Sequence, residues 1–386
     1  MIQTIPYTRL SAFYFFYFAS LGAFVPFWPV YLENEIGFSA LQIGQLMAIF
    51  MGSKIIAPII IGWFVDHYGQ RLNSIRWLSV LTIICFAAVF IEQTFMWFAV
   101  VMFLFGFVWN ASLPQFEALT LNHLENRISR YSLIRLWGSI GFIIAVATVP
   151  AILLIIGFKQ LSLIILLLLT AIALSTIFIS DKTQVSPDNS HADSIWHVLK
   201  QPIVIALLLA CILQQGSHGA YYTFFSLYLD DHHYSANFIG IMWALGVIAE
   251  VVLFLCIQPL MRRYNAYSLF SISVLITAFR WLILAYAVDQ TAILIFSQLL
   301  HAVSYGLFHA SAIQIIHTYF PNRLQGRGQA LYAGLSFGVG GAIGSLGSGY
   351  TWEHWGANQT FLIAAGAAFL GWLISLSMLR SQTVVK

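Results

Sequence analysis

Charge is scarce in this chain: 8% of its 386 residues are Asp, Glu, Lys or Arg, while 60% are hydrophobic. Soluble domains carry about 25% charged residues, so the two or three soluble domains suggested by length alone are excluded. Cysteine is nearly absent. Cys85, Cys211 and Cys256 each fall inside an apolar run without metal-ligand spacing, and they read as packing residues with no redox role. No Gly-x-x-x-x-Gly-Lys-Ser/Thr phosphate loop occurs, which argues against ATP-driven work. A cleavable signal peptide is not expected either, because Arg9 precedes an apolar run too long for a signal core and no small-x-small site follows. The net charge of +3 comes from basic residues spread thinly over many connections, which excludes a nucleic-acid-binding face.

What fills the chain is a series of apolar runs of about 20 residues, the length that crosses a bilayer as a helix. Twelve are expected, at roughly 9–32, 40–65, 72–91, 95–122, 131–157, 160–179, 202–229, 236–260, 266–288, 290–319, 327–350 and 358–379. The fold class is therefore an all-α integral membrane protein, with the lipid bilayer as its surroundings. Of 17 Lys and Arg, 13 fall on one set of connections and termini: Arg9, Arg71, Arg76, Arg127, Arg130, Lys182, Lys200, Arg262, Arg263, Arg323, Arg327, Arg380 and Lys386. The opposite set holds Lys159 with Glu33, Glu35, Glu92, Asp230, Asp231, Asp289 and Glu353. By the positive-inside rule both termini are cytoplasmic.

The one long polar connection, 180–193, divides six expected helices from six. We take 1–180 as an N-terminal bundle, 181–200 as a cytoplasmic loop and 201–386 as a C-terminal bundle. The halves echo each other: Gly22-Ala-Phe-Val-Pro-Phe-Trp-Pro-Val-Tyr-Leu32 aligns without gaps on Gly219-Ala-Tyr-Tyr-Thr-Phe-Phe-Ser-Leu-Tyr-Leu229. Ser39-Ala-Leu-Gln-Ile-Gly44 then matches Ser235-Ala-Asn-Phe-Ile-Gly240, and Ser39 with Gln42 has capping-box spacing. Two pseudo-symmetric six-helix bundles with a midplane site describe a recurrent transporter design. A channel or an intramembrane enzyme does not require it. Glycines crowd the eleventh helix (Gly328, Gly334, Gly338, Gly340, Gly341, Gly344, Gly347, Gly349), where they permit either close packing or sliding.

Five ionisable residues stand inside apolar runs: Lys54, Glu117, Arg135, Glu250 and Arg280. Each costs about 2.5–3.5 kcal/mol at a bilayer centre on insertion scales, so each is expected to face a partner or a water-filled cavity. Counted as ionised they sum to +1, which suits a monoanionic substrate better than a neutral one. Glu117 and Arg135 lie at similar depth on adjoining helices and read as a pair, structural or substrate-binding. Glu250 has no base at helical spacing on its own helix, and Arg280 and His301 are its candidate partners. Burial favours the neutral form of an acid, so Glu250 is the first candidate to carry a proton. Two polar stripes accompany these charges: His301, Tyr305 and His309 at i, i+4, i+8, and Gln214, His218 and Tyr221 or Tyr222. A metal site from His218, His301 and His309 has no supporting local spacing. Among the aromatic residues, Trp137, Tyr221 and Tyr222 are substrate-contact candidates, whereas the run Phe13–Phe18 is assigned mostly to lipid-facing and interfacial positions.

Gly62-Trp-Phe-Val-Asp66-His-Tyr-Gly69-Gln-Arg71 resembles the signature loop of the major facilitator superfamily. The resemblance implies the major facilitator fold and a conformational latch formed by Gly62, Asp66, Gly69 and Arg71. Pro114-Gln-Phe-Glu117 followed by Arg135-Leu-Trp-Gly138-Ser-Ile-Gly141 is similar to the helix 4 and helix 5 pair of the lactose permease group, where the Glu and Arg contribute to the substrate site. Glu250, Arg280 and His301 resemble that group's acid, arginine and histidine on helices eight, nine and ten. The chain departs from it at Gln298 and Ser304, where the lactose permease has Lys and Glu. Gln215-Gly-Ser-His218-Gly-Ala-Tyr221-Tyr222, with Gly246 to Glu250 and Arg280-Trp281, is more similar to the bacterial 3-phenylpropionate transporter branch.

That branch implies a proton-coupled symporter of a bacterial inner membrane, importing a small aromatic carboxylate by alternating access. Glu117, Arg135, Trp137, His218, Tyr221, Tyr222, Arg280 and Lys54 are its expected substrate contacts, and Glu250, His301, His309 and Tyr305 its proton-coupling groups. The expected partners are a small molecule and protons, with no cofactor beyond the proton gradient, no metal, and a functional monomer. The alternatives are a proton-linked nucleoside or oligosaccharide carrier of the same fold, and, from another class, an intramembrane enzyme or metal-regulated channel.

Overall fold

The structure is a computed structural model that describes residues 6–124, 127, 130–180, 195–321 and 324–383. The described residues are helical throughout their ordered elements, with no strand. In hydrocarbon a helix satisfies its own backbone polar groups, and an open strand edge does not.

The long helices are α1 (Tyr7–Asn34), α2 (Ala40–Tyr68), α3 (Arg71–Ala87), α4 (Phe95–Leu124), α5 (Tyr131–Ile156) and α6 (Leu161–Ile177). The expected loop 181–200 lies outside the described residues from 181 to 194, and its end forms the short helix α7 (Trp196–Leu199). Then follow α8 (Pro202–Asp231), α9 (Ala236–Arg263) and α10 (Ala266–Ala287). The next span is composite: α11 (Thr291–Leu299), a π segment at Ala302–Leu307, and α12 (Phe308–Tyr319). The last stretch runs through α13 (Gln325–Ala333), a second π segment at Gly334–Gly340, and α14 (Gly341–Thr383).

Among the described residues eleven stretches are long and apolar enough to cross a membrane, and the last covers 55 residues. It breaks at Gly356, whose φ of 83° interrupts α14, so it supplies two spans and the expected twelve are recovered. Polarity is distributed as lipid demands. Leu154, Ile155 and Leu255 are about four-fifths exposed (81%, 85% and 79%), while Gln214, Gln298 and Arg280 are fully buried.

The chain forms two compact units. One comprises Met1–Phe38, Ser53–Pro187 and Ser235–Ala244; the other comprises Ser39–Gly52, Asp188–Tyr234 and Leu245–Lys386. Within each, the repeat seen in sequence reappears in packing. Gly22 of α1 and Gly219 of α8 are equivalent in the repeat, and both sit where a backbone crosses its neighbour. A Cβ on Gly22 would lie 2.9 Å from the Phe142 carbonyl oxygen of α5, and one on Gly219 would lie 2.3 Å from the Gly344 carbonyl carbon of α14. Gly44 and Gly240, the second equivalent pair, behave alike: their Cβ atoms would meet Gly349 Cα at 2.7 Å and the Val146 oxygen at 2.0 Å. Both helix starts are capped, that at Ser39 with the reciprocal bonds its spacing with Gln42 indicated. Gln42 N–H donates to Ser39 Oγ (3.4 Å), Ser39 N–H to Gln42 Oε1 (3.0 Å), and Phe238 N–H to Ser235 Oγ (3.3 Å).

The run Phe13–Phe18 differs from expectation. Phe13, Tyr14 and Tyr17 are buried, with Phe13 stacked on Phe116 at 3.6 Å between ring centroids. Three to four residues apart on one helical face, these rings turn together toward α4 rather than outward.

α1 and α5 pack tightly at Gly141, where an added Cβ would clash with the Phe15 carbonyl oxygen. Gly141→Val is expected to cost about 1–3 kcal/mol through overpacking, read as a lowered melting temperature of the solubilised protein. Gly366→Ala, where nothing stands within 4 Å, is the control expected to melt like the native protein.

Candidate functional site

Each unit carries its own polar cluster. In the first, α4 brings Glu117 and α5 brings Arg135 to the same level, with Arg135 Nε 3.9 Å from Glu117 Oε1. The pair is only partly enclosed, at 32% and 37% side-chain exposure. Tyr131 donates its hydroxyl to Glu117 Oε1 at 3.3 Å. The Arg135 guanidinium lies over the Phe18 ring at 3.9 Å and within 5.7 Å of Tyr14, the cation–π range. Gly138 makes this stacking geometrically feasible, since a Cβ there would sit 2.7 Å from both Arg135 Nη1 and Phe18 Cδ2. Lys54 is half-buried on α2, beside Ser53, whose hydroxyl accepts from Asn110 Nδ2 at 2.9 Å. Trp137 is not brought to the pair. Residues two apart on a helix face different ways, and Trp137, 39% exposed, donates its indole N–H to Tyr7 at 3.0 Å.

The expected latch residues are also placed here. Gly69 ends α2 with a φ of +68°, a conformation that favours glycine. Arg71 Nη2 donates to Asp66 Oδ1 at 2.7 Å, tying α2 to the start of α3. Gly62 faces Gln115 at ordinary contact distance.

The second unit's cluster is built around Arg280 on α10, which is fully buried. Its Nε donates to the Ser297 carbonyl oxygen (2.9 Å), Nη1 to His301 Nδ1 (3.1 Å) and Ser304 Oγ (3.2 Å), and Nη2 to Gln298 Oε1 (3.1 Å). All four acceptors are neutral. Among the described residues no carboxylate pairs with Arg280. Its faces are covered by Tyr221 at 4.3 Å and Trp281 at 4.7 Å from the ring centroids. Tyr221 in turn donates to Gln298 Oε1 (2.9 Å), and Trp281 to Ser217 Oγ (3.0 Å).

Of the two candidate partners for Glu250, it is His301 that faces it: His301 Nε2 lies 3.9 Å from Glu250 Oε2. Small residues make the room. A Cβ on Gly246 would meet the His301 ring at 3.3 Å, and one on Gly306 would meet Glu250 Cγ at 3.1 Å. The stripe on α11–α12 survives the π segment, with His301, Tyr305 and His309 stacked at 5.4 and 6.2 Å and nearly parallel. His309 Nδ1 reaches the Tyr332 hydroxyl at 3.0 Å. His218 packs edge-on against Trp281 (4.9 Å) and near Tyr222 (5.8 Å). Its Nδ1 lies 2.9 Å from the Gln214 carbonyl, an acceptor only, so Nδ1 carries the hydrogen. Nε2 is then a buried acceptor without a hydrogen-bond partner among the described residues. Those residues contain no group of three or more His, Cys, Asp or Glu placed to hold a metal.

A polar cluster in each unit of a twelve-span helical protein with an internal repeat fits a membrane transporter, and comparison with known proteins agrees. The MFS_1 like family model matches residues 7–363. The chain is similar to the probable 3-phenylpropionic acid transporter of Escherichia coli (strain K12), 30% identical over 376 residues, covering 94% of this chain and 96% of that one. It is also similar to the maltose permease of Geobacillus stearothermophilus, 26% identical over 97% of this chain and 95% of the other. Among solved structures, the nucleoside transporter NupG superposes with a TM-score of 0.85 at 18% identity, covering 97% and 99% of the two chains. The POT family transporter PepTSo superposes at 0.76 with 13% identity, covering 99% and 98%. The chain belongs to the MFS_1 like family of the major facilitator superfamily. It is a multi-pass membrane transporter of a small molecule, not an enzyme.

Gln298→Leu removes the oxygen that Tyr221 and Arg280 share. An unsatisfied buried donor costs about 1–3 kcal/mol, so this variant is expected to melt several degrees lower in a thermal scan, whereas the control Leu255→Met, at a 79% exposed position, is expected to melt unchanged.

Proposed function

We propose that the protein imports a small aromatic carboxylate of the 3-phenylpropionate type together with protons, by alternating access. The observation that carries this reading is Arg280: a fully buried guanidinium met by four neutral acceptors and faced by two aromatic rings. A guanidinium keeps its charge in proteins, and a buried charge demands an opposite one. A carboxylate supplies it with bidentate, charge-assisted hydrogen bonds. An aromatic body then finds Tyr221, Tyr222, Trp281 and His218 nearby. A nucleoside or an oligosaccharide, being neutral, leaves the charge unanswered.

The other roles follow from placement. Glu250 and His301 form the proton-coupling pair, with Tyr305 and His309 extending the stack. Glu117, Arg135 and Lys54 supply the first unit's polar contacts to substrate. Asp66 and Arg71 with Gly62 and Gly69 serve as the conformational latch. The protein works as a monomer in a bacterial inner membrane with both termini cytoplasmic, driven by the proton gradient without another cofactor. The similarity to a probable 3-phenylpropionic acid transporter supports the substrate class.

Reconstituted vesicles with an imposed pH gradient are expected to accumulate 3-phenylpropionate and not maltose or uridine; accumulation of a neutral solute instead contradicts the reading. Gln298→Glu places a permanent carboxylate beside Arg280. It is expected to leave the melting temperature unchanged or higher while reducing 3-phenylpropionate uptake at least tenfold.

A further inference from the structure

We infer that the preferred cargo is a phenolic carboxylic acid, and that His218 and Gln214, one turn apart on α8, are the acceptors that read its ring hydroxyl. This rests on the carboxylate-carrier reading and narrows its substrate class from an aromatic acid to a hydroxylated one.

Two hydrogen-bond acceptors are left over in the core of the second unit. His218 and Gln214 are both fully buried. With its hydrogen held on Nδ1 by the Gln214 carbonyl at 2.9 Å, His218 offers a lone pair at Nε2. The Gln214 amide is oriented just as firmly. Its nitrogen donates to the Ser304 carbonyl oxygen (2.8 Å), which only accepts, and to Thr277 Oγ1 (2.7 Å). Both amide hydrogens are then used, and Oε1 remains an acceptor. Neither His218 Nε2 nor Gln214 Oε1 has a hydrogen-bond partner among the described residues, although buried polar atoms are rarely left unpaired.

Neighbouring donors are committed elsewhere. The Trp281 indole donates to Ser217 Oγ (3.0 Å), the Tyr221 hydroxyl to Gln298 Oε1 (2.9 Å), and the Thr277 hydroxyl to the Ser273 carbonyl (2.8 Å). Two acceptors one turn apart on the same helical face therefore suit a donor carried by a ligand.

The surroundings specify what carries that donor. Trp281 touches both ends of the region: its ring lies 4.7 Å from the Arg280 guanidinium and packs edge-on against His218 at 4.9 Å. Arg280 and His218 are thus neighbours of one indole, a separation that a phenyl ring with a short acid side chain covers. Tyr222 (5.8 Å) and Tyr305 (6.4 Å) flank His218 and are themselves partly exposed, so His218 stands one ring behind the accessible surface. An ammonium donor would bring a second cation toward Arg280, which like-charge repulsion opposes. A phenol is neutral at pH 7, and its flat ring suits the aromatic surround.

The test measures calorimetric binding to the full-length protein in lipid nanodiscs. The ligands are 3-phenylpropionate, 3-(3-hydroxyphenyl)propionate, 3-(4-hydroxyphenyl)propionate and the two matching ring-fluorinated acids, whose substituent donates nothing. One of the hydroxy acids is expected to bind about tenfold or more tighter than 3-phenylpropionate, because a site built around a substrate hydroxyl rejects the analogue that lacks it. Its fluorinated counterpart is expected to lose that gain. His218→Phe and Gln214→Met are each expected to bring the ratio of the two affinities toward one; the native comparison stands even where a variant does not fold. Equal binding of the hydroxylated and plain acids would overturn the inference and leave the carboxylate reading intact, as would an undiminished preference in either variant. If none of the acids binds, the anion reading itself falls, and this inference with it.

Discussion

A guanidinium sealed from solvent with only neutral oxygens and a neutral imidazole around it is the constraint to which the second unit answers. The charge cannot be shed, and among the described residues no carboxylate pairs with it. Every neighbouring feature makes its position tolerable. Tyr221 and Trp281 cover its faces, and Gln298 serves both Tyr221 and Nη2. The main chain of Ser297 fixes Nε. Gly246 and Gly306 are small so that His301 and Glu250 can stand close behind it. A cation held this way is fully oriented and electrostatically incomplete, which is the condition for binding an anion selectively.

The duplication that built the two units kept their frame and let their chemistry diverge. Gly22 and Gly219 meet a neighbouring helix in the same manner, as do Gly44 and Gly240. The charges do not repeat. In the first unit Arg135 has its own acid, Glu117, in a partly exposed pair. In the second, the arginine is buried and its acid, Glu250, stands beyond a histidine. A pair that neutralises itself has little claim on a ligand's charge; the second unit's arginine is instead separated from its acid by a titratable ring. This asymmetry sets the second cluster apart from the first.

Much of this was legible in the amino acids. Hydrophobic runs of bilayer length marked the spans, and the gapless echo around Gly22 and Gly219 marked the repeat, because both signals are local in the chain. Glu117 with Arg135, and His301 as one of two partners for Glu250, were also found from charge in apolar surroundings. What composition could not reveal is direction. Phe13, Tyr14 and Tyr17 look like lipid-facing aromatics until α4 is placed beside them, and Trp137 looks like part of the site until its indole is seen at Tyr7. Gln298 and Ser304 were visible only as departures from the lactose permease pattern. In three dimensions they are two of the groups that hold Arg280, a role no spacing along one helix discloses because their partner is on another.

If Arg280 is the anion receptor, a structure determined with a heavy-atom-labelled aromatic acid such as 3-(4-iodophenyl)propionate will show it. The expected result is the carboxylate on Arg280 Nη1 and Nη2, with His301 Nδ1 released and the iodophenyl group among Tyr221, Tyr222 and Trp281. An intact Arg280–His301 hydrogen bond with the acid bound elsewhere would contradict the account.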